Sequence, residues 1–159
     1  MRCVIILLCL FASPASVEEL KLFQHPSGIF EIMVPADWNI SHPMGGNNIT
    51  TFNPKNGKAD LTISVSKNLN LPSELPEFTV TSMFPNEIPI SKLTRRRGQN
   101  WNSIRQDWSG INNGVKTIWL AEFFGYKTNA IAITLSDEEI AIANQKDLFE
   151  RIVRSIKFK

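Results

Sequence analysis

The sequence predicts an α+β protein: a three-layer α/β/α sandwich with a mainly antiparallel central sheet and helices on both faces. Three observations lead there. Asn113-Gly114 sits between two long alternating runs, the resulting strands are apolar on both sides, and an apolar stripe at helical spacing lies near the C-terminus.

Asn-Gly is a strong hairpin signal because both residues accept the positive φ of a type I′ turn. With that pair as the loop, Trp108 falls opposite Trp119, Ile104 opposite Phe123, and Arg105 opposite Glu122. Two large apolar contacts and one ion pair are expected there. Gly125-Tyr126 predicts a second tight turn, setting Ile118 opposite Ile133, Leu120 opposite Ile131, and Trp119 opposite Ala132. One face then carries Ile118, Leu120, Ile131, Ile133 and Leu135. The other carries Ile104, Trp108, Trp119, Ala121, Phe123, Ala130 and Ala132. A sheet apolar on both faces must be covered on both. The two alanines leave room beside the tryptophans for interdigitated packing.

Covering elements are available. Ser136 and Glu139 form a capping-box pattern, predicting a helix to about Arg154 with Leu148, Phe149, Ile152, Val153 and Ile156 along one stripe. Ser73 is placed to cap a shorter helix reaching Phe84, although Thr79, Val80 and Thr81 are β-branched and weaken it. Strands are expected at Lys21–Gln24, Ile29–Val34, Ile49–Asn53, Ala59–Ser66 and Ile90–Gly98. Turns are expected at His25–Gly28 and Asn56-Gly57, with a loop around Gly45 and Gly46. Within Ala59–Ser66 the apolar Leu61, Ile63 and Val65 alternate with polar residues, the pattern of a half-buried strand.

The first residues read as a leader. Arg2 precedes an apolar run over Val4–Ala12, and Ser13-Pro14-Ala15 places small residues before a cleavage expected between Ala15 and Ser16. A spanning helix needs about 20 apolar residues, and Pro14 interrupts this run. The expected organisation is a signal peptide over 1–15 and one domain over 16–159, exported to the periplasm or secreted, with no stable membrane insertion after cleavage. Both cysteines, Cys3 and Cys9, lie in the leader, so the mature chain has no disulfide or thiolate chemistry. Apolar residues at 43% and charged residues at 20% fit a folded soluble protein, and a formal charge of +2 argues against nucleic acid as a partner.

Taken together, GIFEIMVPADW with Pro35 and Trp38, ADLTISVS, the Trp101–Ser136 hairpins and the closing FERIVRSIKF resemble the PsbP-like family over roughly Leu22–Lys159. That family is founded on an extrinsic photosystem II subunit, and its fold includes a Ran-binding import factor, bacterial envelope proteins and chaperones for secreted effectors. The resemblance implies this fold and a binding function. It carries over no specific binding residue.

No nucleophile elbow, phosphate-binding glycine loop or zinc-protease motif is present. His25 and His42 each sit beside a proline and are expected as exposed loop residues. Asp137, Glu138 and Glu139 are expected in the first turn of a helix, where capping and the dipole account for them. Arg95-Arg96-Arg97 is the dense charge run, with Arg95 and Arg97 on one face of a strand and Arg96 on the other. Edge protection or a contact patch both account for it. Trp101 is expected at the surface, so Arg95, Arg97 and Trp101 are the candidate protein-binding residues. Asn39-Ile40-Ser41 and Asn48-Ile49-Thr50 match the glycosylation sequon. The functional expectation is a non-enzymatic module with an unknown protein partner and no cofactor or metal. The alternative is a small-ligand or lipid-headgroup carrier.

Overall fold

The computed structural model describes residues 18–42, 48–55, 57–69 and 77–159. The leader, the Gly45-Gly46 loop, Asn56 and the Ser73 cap lie outside the described residues.

β1 (Leu20–Gln24) and β2 (Phe30–Pro35) form a hairpin whose turn places Gly28 at a φ of 75°, a region open to glycine at little steric cost. β3 (Asn39–Ser41), β4 (Ile49–Asn53) and β5 (Asp60–Ser66) follow as a meander, then α1 (Glu77–Met83). Two short strands, β6 (Ile88–Pro89) and β7 (Thr94–Arg97), precede three long ones: β8 (Trp101–Asn112), β9 (Val115–Tyr126) and β10 (Asn129–Glu138). The chain closes with α2 (Glu139–Ile142), a 3-10 turn (Ala143–Gln145), α3 (Lys146–Arg154) and β11 (Lys157–Phe158). An eight-stranded sheet runs β3-β4-β5-β10-β9-β8-β6, with β7 also paired to β8, while β1-β2-β11 form a separate three-stranded sheet. Every strand pairing among the described residues is antiparallel, so the class is α+β.

The Asn113-Gly114 hairpin forms in the expected register, with Trp108 opposite Trp119, Ile104 opposite Phe123, and Arg105 opposite Glu122. Both loop residues have positive φ, 51° and 80°. The second hairpin differs. Its turn is Lys127-Thr128, and Ile118 pairs with Asp137 rather than Ile133, a displacement of four residues. Tyr126 stays in the strand because its ring stacks on Phe158 at 4.5 Å and its hydroxyl donates to the Lys159 carbonyl at 2.6 Å. Asn129 then closes the turn by donating to the Tyr126 carbonyl at 3.3 Å. An even displacement leaves every side chain on its own face, so the two-face pattern survives the slip.

Ser136 does not cap a helix. It pairs with Trp119 on one side and Asp60 on the other, so the ladder holds its backbone and the helix starts at Glu139 without a side-chain cap. The expected long helix is interrupted at Ala143–Gln145, and α3 alone carries the stripe, burying Leu148, Phe149, Ile152 and Val153. Of the expected Ile90–Gly98 strand only Thr94–Arg97 forms, as β7, and β6 lies before that span. Between them Ser91 replaces ladder bonds: its hydroxyl accepts the Asp107 N–H at 2.7 Å, and its carbonyl accepts Gln106 Nε2 at 3.3 Å.

Two apolar clusters result. The larger joins Phe30, Ile32 and Val34 of the small sheet to Leu61, Ile63, Leu120, Ile131 and Ile133 of the large one, with Phe149 and Ile152 of α3. The smaller lies on the opposite face, where Ile104, Trp108, Ala121, Phe123 and Ala132 surround Val80 of α1.

Candidate functional site

The arginine run lies on β7, at the margin of the large sheet. Arg95 is opposite Ile104, Arg96 opposite Ser103, and Arg97 opposite Asn102. Ile104 belongs to the smaller cluster, so alternation puts Arg95 and Arg97 on that face and Arg96 on the other. Arg95 and Arg97 are exposed. Arg96 reaches across β8 to Glu122, its Nε donating to Oε1 at 3.0 Å and its Nη2 contacting the same oxygen. Ser103 Oγ also donates to that oxygen at 2.7 Å, and Glu122 is only 1% exposed. A buried carboxylate needs partners of this kind.

The expected Arg105–Glu122 ion pair is therefore replaced. Arg105 lies over the Phe149 ring of α3 at 4.2 Å and pairs with Asp107 of its own strand at 3.0 Å, while Arg96 of β7 takes Glu122. Trp101 is half-buried rather than exposed. Its ring packs against Phe124 at 5.6 Å and Phe158 at 6.2 Å, and a Cβ on Gly98 would come within 2.2 Å of its Nε1. With Gln99, Tyr126 and Lys157 it lines a shallow hollow of about 230 Å³.

His25 overturns its sequence reading more sharply. It is 1% exposed, stacked on Phe30 at 4.9 Å and edge-on to Phe23 at 6.2 Å. The turn folds back because its own backbone closes it: His25 N–H donates to the Phe30 carbonyl at 3.2 Å and Gly28 N–H to the His25 carbonyl at 2.9 Å. Its Nδ1 lies 2.9 Å from Ser27 Oγ and accepts the Ser27 N–H at 3.1 Å, while the buried Nε2 has no partner. Burial, then the charges of Lys67 and His42, lower its pKa to about 4. His42 is exposed as expected, its Nδ1 3.4 Å from Thr50 Oγ1.

The acidic trio does not sit together in a helical turn. Asp137 and Glu138 belong to β10, and only Glu139 is helical. Asp137 is buried and accepts the Glu138 N–H at 2.7 Å, Glu138 pairs with Lys58 at 2.5 Å, and Glu139 pairs with Lys116 at 2.6 Å. The neighbouring Asp60 has its pKa raised by burial and further by Asp137, against a hydrogen bond from Asn53 that lowers it. Among the described residues no group of three or more His, Cys, Asp or Glu could hold a metal ion, and no helix is long and apolar enough to cross a membrane.

On the smaller cluster's face an apolar cleft of about 270 Å³ opens between α1 and the sheet, lined among others by Ser64, Leu69, Val80, Met83, Phe123 and Ala132. Its floor follows from strand register. Ala130 lies between Gly125 and Ser66, and Ala132 between Phe123 and Ser64, so the small side chains of β10 and β5 line up beside Phe123.

Against solved structures, the chain is similar to the cyanobacterial PsbP protein CyanoP of Synechocystis sp. PCC 6803, at TM-score 0.66 and 14% identity over 92% of this chain and 96% of that one. It has the PsbP-like fold. The Ran-binding protein Mog1p of Saccharomyces cerevisiae is also similar, at TM-score 0.64 and 9% identity, covering 89% of this chain and 96% of that one. LpqN, involved in cell envelope biogenesis of Mycobacterium tuberculosis, matches at TM-score 0.60 and 10% identity, covering 89% and 91%. No family model and no curated protein sequence matches the chain.

Within this PsbP-like fold, sequence reasoning missed the Arg96–Ser103–Glu122 network, the burial of His25 and the cleft. Arg96 and Ser103 are adjacent across two strands, a pairing visible only once β7 is placed on β8. The alternation of Ser64 and Ser66 with the apolar residues of β5 was a partial signal for the cleft floor.

Proposed function

We propose that this chain is an exported, non-enzymatic protein-interaction module of the accessory, chaperone or inhibitor type, folded as a three-layer sandwich with α1 covering the smaller cluster. The observation that carries this reading is the exposure of Arg95 and Arg97 on one face of β7, with Arg96 on the other face bonded to Glu122. Such an edge presents charge to a partner while discouraging indiscriminate strand addition. Support comes also from the Ran-binding description of Mog1p and the cell-envelope role of LpqN, two proteins of similar fold. Export is supported by the apolar run and small residues before Ser16.

The test is affinity capture of the mature protein with partners from its own host, comparing wild type with Arg95→Ala/Arg97→Ala. Partner yield falls in the double variant if these arginines form the contact, whereas equal yield at low salt returns them to edge protection. Mass spectrometry of the exported chain is expected to give Ser16 as its first residue, and a chain starting at Met1 contradicts export.

The cleft favours one second reading, a small-ligand carrier. Its lining is largely apolar with serine hydroxyls among it, which suits an apolar group better than a charged lipid headgroup. Ala132→Phe, which fills the floor, abolishes uptake of an apolar fluorescent probe under this reading and leaves it unchanged under the first.

A further inference from the structure

β1 is a lightly held strand. It is the outer member of the three-stranded sheet, Lys21, Leu22 and Gln24 are exposed, and Leu20 and Phe23 are only partly buried. At the turn end, Phe23 packs edge-on to Phe52 at 5.0 Å and His25 lies flat on the fully buried Phe30. His25 is thus almost as buried as Phe30, at 1% exposed. It is also an imidazole whose Nε2 has no acceptor and whose Nδ1 is already occupied by the Ser27 N–H.

This site accepts the neutral ring and rejects the charged one. Protonation would place a second N–H at Nδ1, against the Ser27 N–H that now donates to it and with Ser27 Oγ at 2.9 Å as its acceptor, and would charge a ring that is enclosed by phenylalanines and whose Nε2 has no partner. The charged groups acting on it make this worse. Lys67, just after β5, donates to the Ser27 carbonyl at 3.5 Å, and His42, just after β3, adds positive charge when protonated. We propose that the β1–β2 turn is an acid-released latch, in which protonation of His25 expels its ring from between Phe23 and Phe30 and frees β1 from β2 while the central sheet stays folded.

The direction follows from linkage. The folded pKa, about 4, lies below the ordinary 6.5. The latched state therefore has its full contribution above pH 6.5 and loses it progressively as pH falls toward 4. At pH 5 an unlatched imidazole is protonated about thirtyfold over neutral, whereas the latched ring remains about nine-tenths neutral, so the opening equilibrium shifts by about thirtyfold. The N-terminal end of β1 has ties insensitive to this ring, since Ala36 N–H donates to the Glu19 carbonyl at 2.9 Å and Lys21 Nζ to the Ala36 carbonyl at 2.7 Å. Opening consequently starts at the turn.

Hydrogen exchange of the full chain, followed by mass spectrometry at pH 7 and pH 5 and corrected for intrinsic rates, tests the latch. Amides over 20–31 are expected to exchange roughly ten- to thirtyfold faster at pH 5, with those over 115–135 unchanged. His25→Phe, which keeps the stacking and removes the titration, should abolish the increase. The proposal is overturned by no acceleration, by equal acceleration throughout the molecule, or by the same acceleration in His25→Phe. If that variant does not fold, an NMR titration of the wild-type ring decides: a midpoint below 5 supports the latch, and one at or above 6 sinks it.

Discussion

Glu122 is a carboxylate held in a nearly closed site by Arg96 and Ser103, so its partners can be removed one at a time. Arg96→Ala leaves the charge buried with the serine alone and is expected to lower unfolding free energy by about 3 kcal/mol. Ser103→Ala removes one of several hydrogen bonds, with an expected loss of about 1 kcal/mol. Urea denaturation of both variants is the measurement, and a neutral Arg96→Ala would refute the network as a support of the fold. Lys127 offers an opposite case. It holds a φ of 53° in an exposed turn, a region unfavourable to a side chain, so Lys127→Gly is expected to raise stability by roughly 0.5 kcal/mol in the same assay. Neither effect is legible in the chain. Arg105 sits directly opposite Glu122, so the sequence suggests that pair, and only β7 and α3 decide otherwise.

At the scale of elements, β8, β9 and β10 are apolar on both sides because each face meets its own cluster. Ile133→Asp and Ile104→Asp place an unpaired carboxylate in the larger and smaller cluster respectively, since both residues are almost fully buried. Each is expected to lose its cooperative thermal transition near the wild-type temperature, at a cost of several kcal/mol. Retention of that transition by Ile104→Asp alone would mean that the smaller cluster's face is open to water. Trp119→Asp is the milder companion, because Trp119 is only half-buried. The hairpin at Asn113-Gly114 was readable because its turn chemistry is local. The turn at Lys127-Thr128 was not, because Gly125-Tyr126 carries the stronger local signal and loses to the contact of Tyr126 with the chain terminus. Ser136 fails as a helix cap for a related reason: its local pattern is sound, but two neighbouring strands claim its backbone.

At the scale of the whole molecule, the partner reading predicts a salt dependence. Charge contacts at exposed arginines are screened over about 10 Å at 0.1 M salt. Arg95→Ala/Arg97→Ala is accordingly expected to weaken partner capture more at low salt than at high salt, with thermal stability unchanged. A double variant that loses stability instead would make these arginines structural. The sequence by itself determined which residues are apolar together: the two faces of the long hairpins, the α3 stripe and the alternation of β5 all follow from period and local turn propensity. Only the tertiary structure decided which polar groups are buried and with whom. His25 and Asp137 look solvated in a linear reading, and Glu122 looks paired with Arg105 rather than with Arg96. Their environments are assembled from strands and turns distant in the chain, and burial and electrostatic pairing depend on distance in space rather than on spacing in sequence.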